Sequence, residues 1–233
     1  METTALIPSI LFDDDDLLVI SKPAGLLSIP DGYNPKLPYL QQVLEPHYGQ
    51  LWIVHRLDRD TSGVMLLARN AEAHRSLNEA FRNREVEKIY HGLAWPVPQW
   101  TELVMDQPLK VNADRRHRTR VNLAQGKPAW TQCAVLEKGS GAAKLAILIK
   151  TGLTHQIRAH LREQGMILLG EGLYNAGLQE PPIQAPRVML HAKEVSFQHP
   201  ANHQSVKFSA PYPDDFRSVY ALIRQSKGQA AEI

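Results

Sequence analysis

The strongest constraint on the fold is the rhythm of the chain: short apolar runs of strand length follow one another, and only some are separated by a helical stretch. Residues 17–21 form one such run, and Lys22-Pro23-Ala24-Gly25 breaks it. Residues 51–55 and 63–68 are two more, so the polar stretch between them, 56–62, must be a loop joining two strands. Residues 87–95 return to strand and stop at Pro96-Val97-Pro98. Further strands are expected at 119–123, 129–136, 144–150, 193–198 and 206–209.

Helical spacing is confined to a few places. Residues 38–48 align Leu40, Val43 and Leu44, and residues 71–84 carry Ala73, Leu77, Ala80 and Phe81 as an apolar stripe. Thr154 is placed to cap a helix running to residue 164, with Gly165 just beyond its end. A last helix puts Phe216, Val219, Tyr220 and Ile223 on one face, and residues 226–233 read as a flexible tail. Strands and helices do not alternate regularly, which argues against a doubly wound sheet. The expectation is an α+β fold on a mixed, mainly antiparallel sheet. Residues 1–16 then form an N-terminal segment and 17–225 one compact domain with room for two lobes.

The chain of 233 residues is long enough for a substantial core, and 43% apolar with 21% charged residues is the balance of a globular protein rather than a disordered one. No run approaches the roughly 18 apolar residues of a membrane span, and the N-terminus lacks a signal-peptide pattern. Cys133 is the sole cysteine, which excludes an intramolecular disulfide and a four-cysteine zinc site. A cytoplasmic protein, with no membrane association, is the simple inference. The net charge of +2 is small, but its distribution is uneven. Asp13 to Asp16 are all acidic, whereas Lys110, Arg115, Arg116, Arg118 and Arg120 face only Asp114. That second segment can attract a polyanion locally, or be a solvated hairpin.

Two polar clusters carry candidate chemistry. His55-Arg56-Leu57-Asp58-Arg59-Asp60-Thr61-Ser62-Gly63 concentrates charges and hydroxyls where a sheet delivers a loop, a setting more often functional than structural. The second is Gly152-Leu153-Thr154-His155-Gln156-Ile157-Arg158-Ala159-His160. On a helix beginning near Thr154, His155 and Arg158 share a face, and Arg158 is a candidate partner for Asp58, whose ionised form it would favour. His155 and His160 have the wrong spacing for an HExxH zinc site, and no residue set suggests a metal. No glycine loop for nucleotide phosphates is present. Ser62 lacks the G-x-S-x-G turn of a hydrolase nucleophile.

The clusters also carry a family resemblance. His55-Arg56-Leu57-Asp58 with Thr61-Ser62-Gly63 resembles the signature of the RluA-like pseudouridine synthases. Lys22-Pro23-Ala24-Gly25-Leu26 resembles that family's early Lys-Pro-x-Gly element, Lys88-Ile89-Tyr90 its Lys-x-Tyr strand, and Gly126-Lys127-Pro128-Ala129 its Gly-Lys-Pro-Ala turn. Thr151-Gly152 with Thr154-His155-Gln156-Ile157-Arg158 resembles its third motif, and Leu190-His191-Ala192 its Leu-His-Ala element. Each motif is short and weak alone; their order along nearly the whole chain is specific. Leu153 and Glu171 depart from the pattern, where a polar residue and Asp are usual.

The resemblance implies the pseudouridine synthase fold, a largely antiparallel sheet bent into two lobes with flanking helices and an active cleft across its middle. It implies an isomerase that breaks the glycosidic bond of a uridine in structured ribosomal or transfer RNA and rejoins the base through C5, with no cofactor. Asp58 would act on the ribose, by attack at C1′ or by removing the 2′ proton. Tyr90 would lie against the uracil and accept the C5 proton, Arg158 would pair with Asp58, and Leu190 would wall the pocket. His55, Arg56, Thr61, Thr154, His155 and Gln156 would contact RNA around a flipped nucleotide, and Arg115, Arg116 and Arg118 would clamp its backbone. Too few residues precede the first expected strand for the S4-type domain found in some relatives. A monomer with no obligatory protein partner is expected. The rival readings are an idle RNA-binding or chaperone protein on the same scaffold, and a hydrolase using Ser62.

Overall fold

A computed structural model describes residues 6–139 and 141–225. The tail at 226–233 lies outside the described residues, as do residues 1–5. Along the chain, strands β1 (Ser9–Asp13) and β2 (Leu17–Lys22) precede helix α1 (Leu40–Tyr48), strands β3 (Trp52–Ile53) and β4 (Ser62–Ala68), and helix α2 (Ala71–Arg82). Strands β5 (Glu87–Trp95), β6 (Glu102–Met105), β7 (Leu109–Lys110), β8 (Arg120–Val121), β9 (Thr131–Lys138) and β10 (Ala143–Ile149) follow. Helix α3 (Gln156–Glu163), strands β11 (Ile167–Leu168), β12 (Leu190–Gln198) and β13 (Ser205–Ser209) and helix α4 (Asp214–Gln225) complete it. This is the expected α+β class. The chain divides into two compact units, one of residues up to Lys88 with Ala192–Pro211, the other of Ile89–His191 with the chain from Tyr212 onward.

In the first unit the strand order is β1-β2-β4-β12, with β13 on β12 and β3 on β4. β2 pairs antiparallel with β4 from Leu17 opposite Ala68 to Lys22 opposite Gly63. Every residue of β4 is buried, which explains its unbroken apolar sequence: a strand covered on both faces has no polar side to show. Helix α2 buries Ala73 and Leu77, and the Asn70 side chain caps it by accepting the Ala73 amide at 2.8 Å. The acidic run is a hairpin turn, in which Asp14 Oδ1 accepts the amides of Asp16 (3.0 Å) and Leu17 (2.8 Å). The turn corrects the reading of the N-terminal segment, because it connects β2 to an earlier strand, β1. No residue of β1 is fully buried, and its apolar run is only Ile10-Leu11-Phe12.

In the second unit the order is β5-β10-β9-β6, with β11 on β5 and a separate β7–β8 ladder. The β9–β10 hairpin is antiparallel, with its register shifting between Lys144 and Leu145. Leu93, Leu169, Met189, Phe216, Val219 and Ile223 pack in one core, so the predicted face of the last helix is the buried one, with Tyr220 at its margin. Strands β6, β7 and β11 were not expected, being only two to four residues long. The expected strand at 119–123 shrinks to Arg120–Val121. Helix α3 begins two residues after Thr154, so Thr154 is not its cap. His155 holds the N-cap position in the left-handed region at φ 54°, and no side chain caps the helix. The reason is Gln156, whose Oε1 reaches back to the Leu153 amide (3.1 Å) and the Thr151 hydroxyl (2.8 Å) and holds the entering chain. Gly165 lies just past the C-cap residue Gln164 with φ 70°, as expected of a helix-ending glycine.

Candidate active site

The loop from His55 to Thr61 belongs to the first unit and is braced on both sides of Asp58. Before it, the buried Ser28 hydroxyl donates to the Leu57 carbonyl (2.8 Å) and accepts the Leu57 amide (3.0 Å). After it, the Arg59 carbonyl accepts the Gly25 amide (2.8 Å) and the Lys22 ammonium (3.2 Å). The Thr61 amide donates back to the Asp58 carbonyl at 3.1 Å, closing a turn. Leu57, Thr61 and Ser62 are buried, Asp58 is half-buried, and Arg56 and Arg59 are exposed. A carboxylate thus sits partly open to solvent on a backbone with little freedom to move.

Lys22, which opens the Lys-Pro-x-Gly element, is the residue to which sequence reasoning assigned no role. It is fully buried, and its Nζ also donates to the carbonyls of Pro23 (3.0 Å) and Leu26 (2.8 Å). An ammonium taken out of water must have every donor answered, and three carbonyls from two loops do this. The available signals were that element and a lysine ending a largely apolar strand. Gly63 closes the loop at the start of β4 with φ 117°, and a Cβ there would stand 2.2 Å from the Ala192 carbonyl oxygen. Only glycine allows that approach.

His55 has a fold-related task. Its ring stacks on Phe81 with centroids 4.8 Å apart, and its Nε2 accepts the Leu66 amide of β4 at 2.9 Å. Burial, aided by the Lys88 charge, pulls its pKa down to about 3. The imidazole is therefore neutral near pH 7, with its proton on Nδ1 because Nε2 is the acceptor.

The second unit carries Tyr90, Arg158, Leu190 and the remaining candidates. Arg158 is clamped by Glu171, Nε to Oε2 at 2.6 Å and Nη2 to Oε1 at 2.7 Å. Its guanidinium carbon lies 5.2 Å from the Tyr174 ring centroid. Glu171 Oε1 also accepts the amides of Leu173 (2.7 Å) and Tyr174 (3.2 Å). Burial works to raise the Glu171 pKa, but the Arg158 bonds and charge and the two amides outweigh it and hold the carboxyl below its ordinary range. The glutamate that departs from the family pattern is thus the anchor of the predicted catalytic arginine. The clamp uses the Nε–Nη2 edge of the guanidinium, so a second carboxylate would have to approach the opposite edge.

Tyr90 on β5 and Leu190 on β12 are buried. Gln156 is buried too, with its Nε2 on the Trp130 carbonyl and the Thr131 hydroxyl, both at 3.0 Å. The Thr154 carbonyl accepts the Thr119 hydroxyl at 2.7 Å, and His155 Nδ1 lies 3.2 Å from the Tyr174 hydroxyl. In the basic segment, Asp114 takes Arg118 Nε (2.7 Å) and Arg120 Nη2 (2.9 Å) on one oxygen. Burial opposes ionisation there, but hydrogen bonds from the Arg118 amide and guanidinium and from the Arg116 amide bring the Asp114 pKa to about 2. Arg115 and Arg116 point to solvent as exposed cations. Among the described residues no cluster of His, Cys, Asp and Glu is arranged to hold a metal, and no helix is long and apolar enough to cross a membrane.

Comparison with known proteins converges on one family. The family model described as RNA pseudouridylate synthase matches residues 16–163. The dual-specificity RNA pseudouridine synthase RluA of Escherichia coli (strain K12) is 36% identical over 203 residues, covering 87% of this chain and 92% of that protein. Ribosomal large subunit pseudouridine synthase D of Nitrosomonas europaea is 36% identical over 226 residues, covering 92% of this chain and 65% of that protein. Among solved structures, human RNA pseudouridylate synthase domain containing 1 superposes with a TM-score of 0.75 at 27% identity, covering 91% of this chain and 87% of the other.

Proposed function

Because the chain belongs to the RNA pseudouridylate synthase family, we propose that it isomerises uridine to pseudouridine in stem-loops of ribosomal or transfer RNA. The observation that carries this reading to a residue is the braced loop around Asp58. Positioning is the main thing such an enzyme supplies, and the bonds on Leu57, Arg59 and Thr61 remove the freedom that would blur it. The Asp58 carboxylate acts on the ribose, by attack at C1′ or by removal of the 2′ proton. The N1–C1′ bond breaks and the base turns; the C5–C1′ bond then forms as the Asp58–C1′ bond breaks, or as the proton returns to C2′, and the C5 proton leaves while N1 takes one up. Tyr90 is the acceptor for that proton, and Leu190 is an apolar wall for the base. Arg158 acts as a fixed cation whose position Glu171 sets.

C1′ and C5 of a stacked nucleotide cannot be presented to a carboxylate, so the uridine is flipped out, most cheaply from a loop. Arg56, exposed two residues before Asp58, is assigned to the vacated stack. His55 and Gln156, whose side chains bond within the protein, are read as holding the site rather than touching RNA. Thr61 supports the loop, and Thr154 and His155 remain candidates at the start of α3. In the basic segment the exposed Arg115 and Arg116 take RNA phosphates, with Arg118 tied to Asp114 as their support. We take the catalytic domain to begin at Ser9, where β1 pairs with β2, and the protein to act as a monomer.

Transcripts carrying tritium at uracil C5 test this. The wild-type protein releases the label to water and Asp58→Asn does not. Absence of release from every ribosomal and transfer RNA offered would refute the function. Release by Asp58→Asn would refute the assigned carboxylate.

A further inference from the structure

Among the described residues, Tyr33 is the most exposed of the large apolar side chains, with 94% of its surface in solvent. Its loop is built rather than slack. The ends meet where Leu27 bridges Tyr39, the Leu27 amide donating to the Pro38 carbonyl (3.2 Å) and the Leu40 amide to the Leu27 carbonyl (2.9 Å). At the apex, Asp31 Oδ1 accepts the amides of Tyr33 (2.7 Å) and Asn34 (2.8 Å). Asn34 then accepts the amides of Lys36 on its side chain and of Leu37 on its carbonyl, both at 3.2 Å. Such side-chain turns fix the backbone locally. The ring is therefore held out into solvent by its own loop.

The root of this loop is Ser28, whose hydroxyl both donates to and accepts from Leu57, the residue beside Asp58. The amides of Asn34 and Tyr33 lower the Asp31 pKa, and the Arg59 charge adds to them, so the apex lies within electrostatic reach of the catalytic loop. The loop exposes Pro30 and Pro35, with Ile29 at 37%, beside the polar Gly32, Asn34 and Lys36, and among these Tyr33 alone carries an aromatic ring, which stands almost wholly in solvent. A solvent-facing aromatic ring on a loop that feels the charge of the exposed Arg59 is what an unpaired base stacks on.

We infer that Tyr33 is a stacking platform for an unpaired base of the substrate RNA, next to the nucleotide being isomerised. This rests on the function proposed above and adds a binding residue outside the recognised motifs. Tyr33→Ala and Tyr33→Phe are compared with wild type on a stem-loop from which wild type releases tritium. Loss of one stacked base raises KM and Kd about 5- to 100-fold in the alanine variant. Its kcat at saturating RNA stays within about twofold of wild type, and the phenylalanine variant binds like wild type because the ring is kept. An alanine variant with unchanged Kd overturns the inference, and so does a phenylalanine variant as weak as alanine. A change in sedimentation with unchanged RNA affinity also overturns it, by making Tyr33 a protein contact. Should wild type release no tritium, the reaction fails, while Kd for ribosomal and transfer RNA stem-loops still decides Tyr33. Absence of any binding overturns both.

Discussion

Replacing Glu171 by Gln isolates the charge of the Arg158 anchor while keeping its shape. The carboxylate side chain is 1% exposed and that of Arg158 11%, so the pair is largely out of water. The amide oxygen of Gln can still accept from Leu173 and Tyr174. Its NH2 group, however, would face an Arg158 N–H, donor against donor, where Oε2 now accepts at 2.6 Å. Removing one partner of a buried pair costs about 3–5 kcal/mol. Arg158 has further interactions of its own, which places the loss near about 3 kcal/mol. For a chain of this size that lowers Tm by about 6–12 °C, a large share of a total stability of about 5–15 kcal/mol.

The pH dependence tests the cause. The folded-state pKa of Glu171 lies below its ordinary 4.5, so the unfolded chain takes up this proton first as pH falls. The stabilisation is fully present above 4.5 and is lost as pH drops through the lower folded-state value. Scanning calorimetry should show a constant gap between wild type and Glu171→Gln near neutrality that narrows at acid pH. Combining it with Arg158→Met should cost less than the sum of the two single changes, with a coupling of about 2 kcal/mol. A gap that persists undiminished at pH 3.5, or additive single and double variants, would refute the anchor.

The other predictions concern the Asp58 loop. His55 should show the Nδ1–H tautomer by nitrogen NMR and no titration between pH 8 and 5, since burial brings its pKa to about 3; a midpoint near 6.5 would contradict its packing. Gly63→Ala should cost at least about 3 kcal/mol, because the φ of 117° is strained for alanine and the Ala192 carbonyl stands 2.2 Å from the new Cβ. A Tm within 2 °C of wild type, at the roughly 2–4 °C per kcal/mol of a domain this size, would show that β12 yields there.

Periodicity made the long elements legible. α2 buries a stripe of helical period, β4 is an apolar run buried throughout, and β5 spans the predicted residues 87–95 because strand propensity and the Pro96 stop agree. Where a partner sets the structure, the string carries less. β1 has no fully buried residue and exists because β2 accepts it, and Thr154 loses the capping position to His155 because Gln156 holds the entering chain. The site follows the same division. Motif order pointed to Asp58 and Arg158, since motifs are local. What holds them is not local: Ser28 reaches across 29 positions to Leu57 and Lys22 across 37 to Arg59, while Glu171 lies 13 beyond Arg158. Two of these supports are ionised groups removed from water, each stable there only because particular partners answer its bonds. Reading a buried lysine as a strand end, or a glutamate as a departure from pattern, therefore misses the same quantity: the desolvation that commits a charged side chain to one arrangement of its neighbours. That commitment is what turns the loops around Asp58 and Arg158 from polar segments into positioned ones.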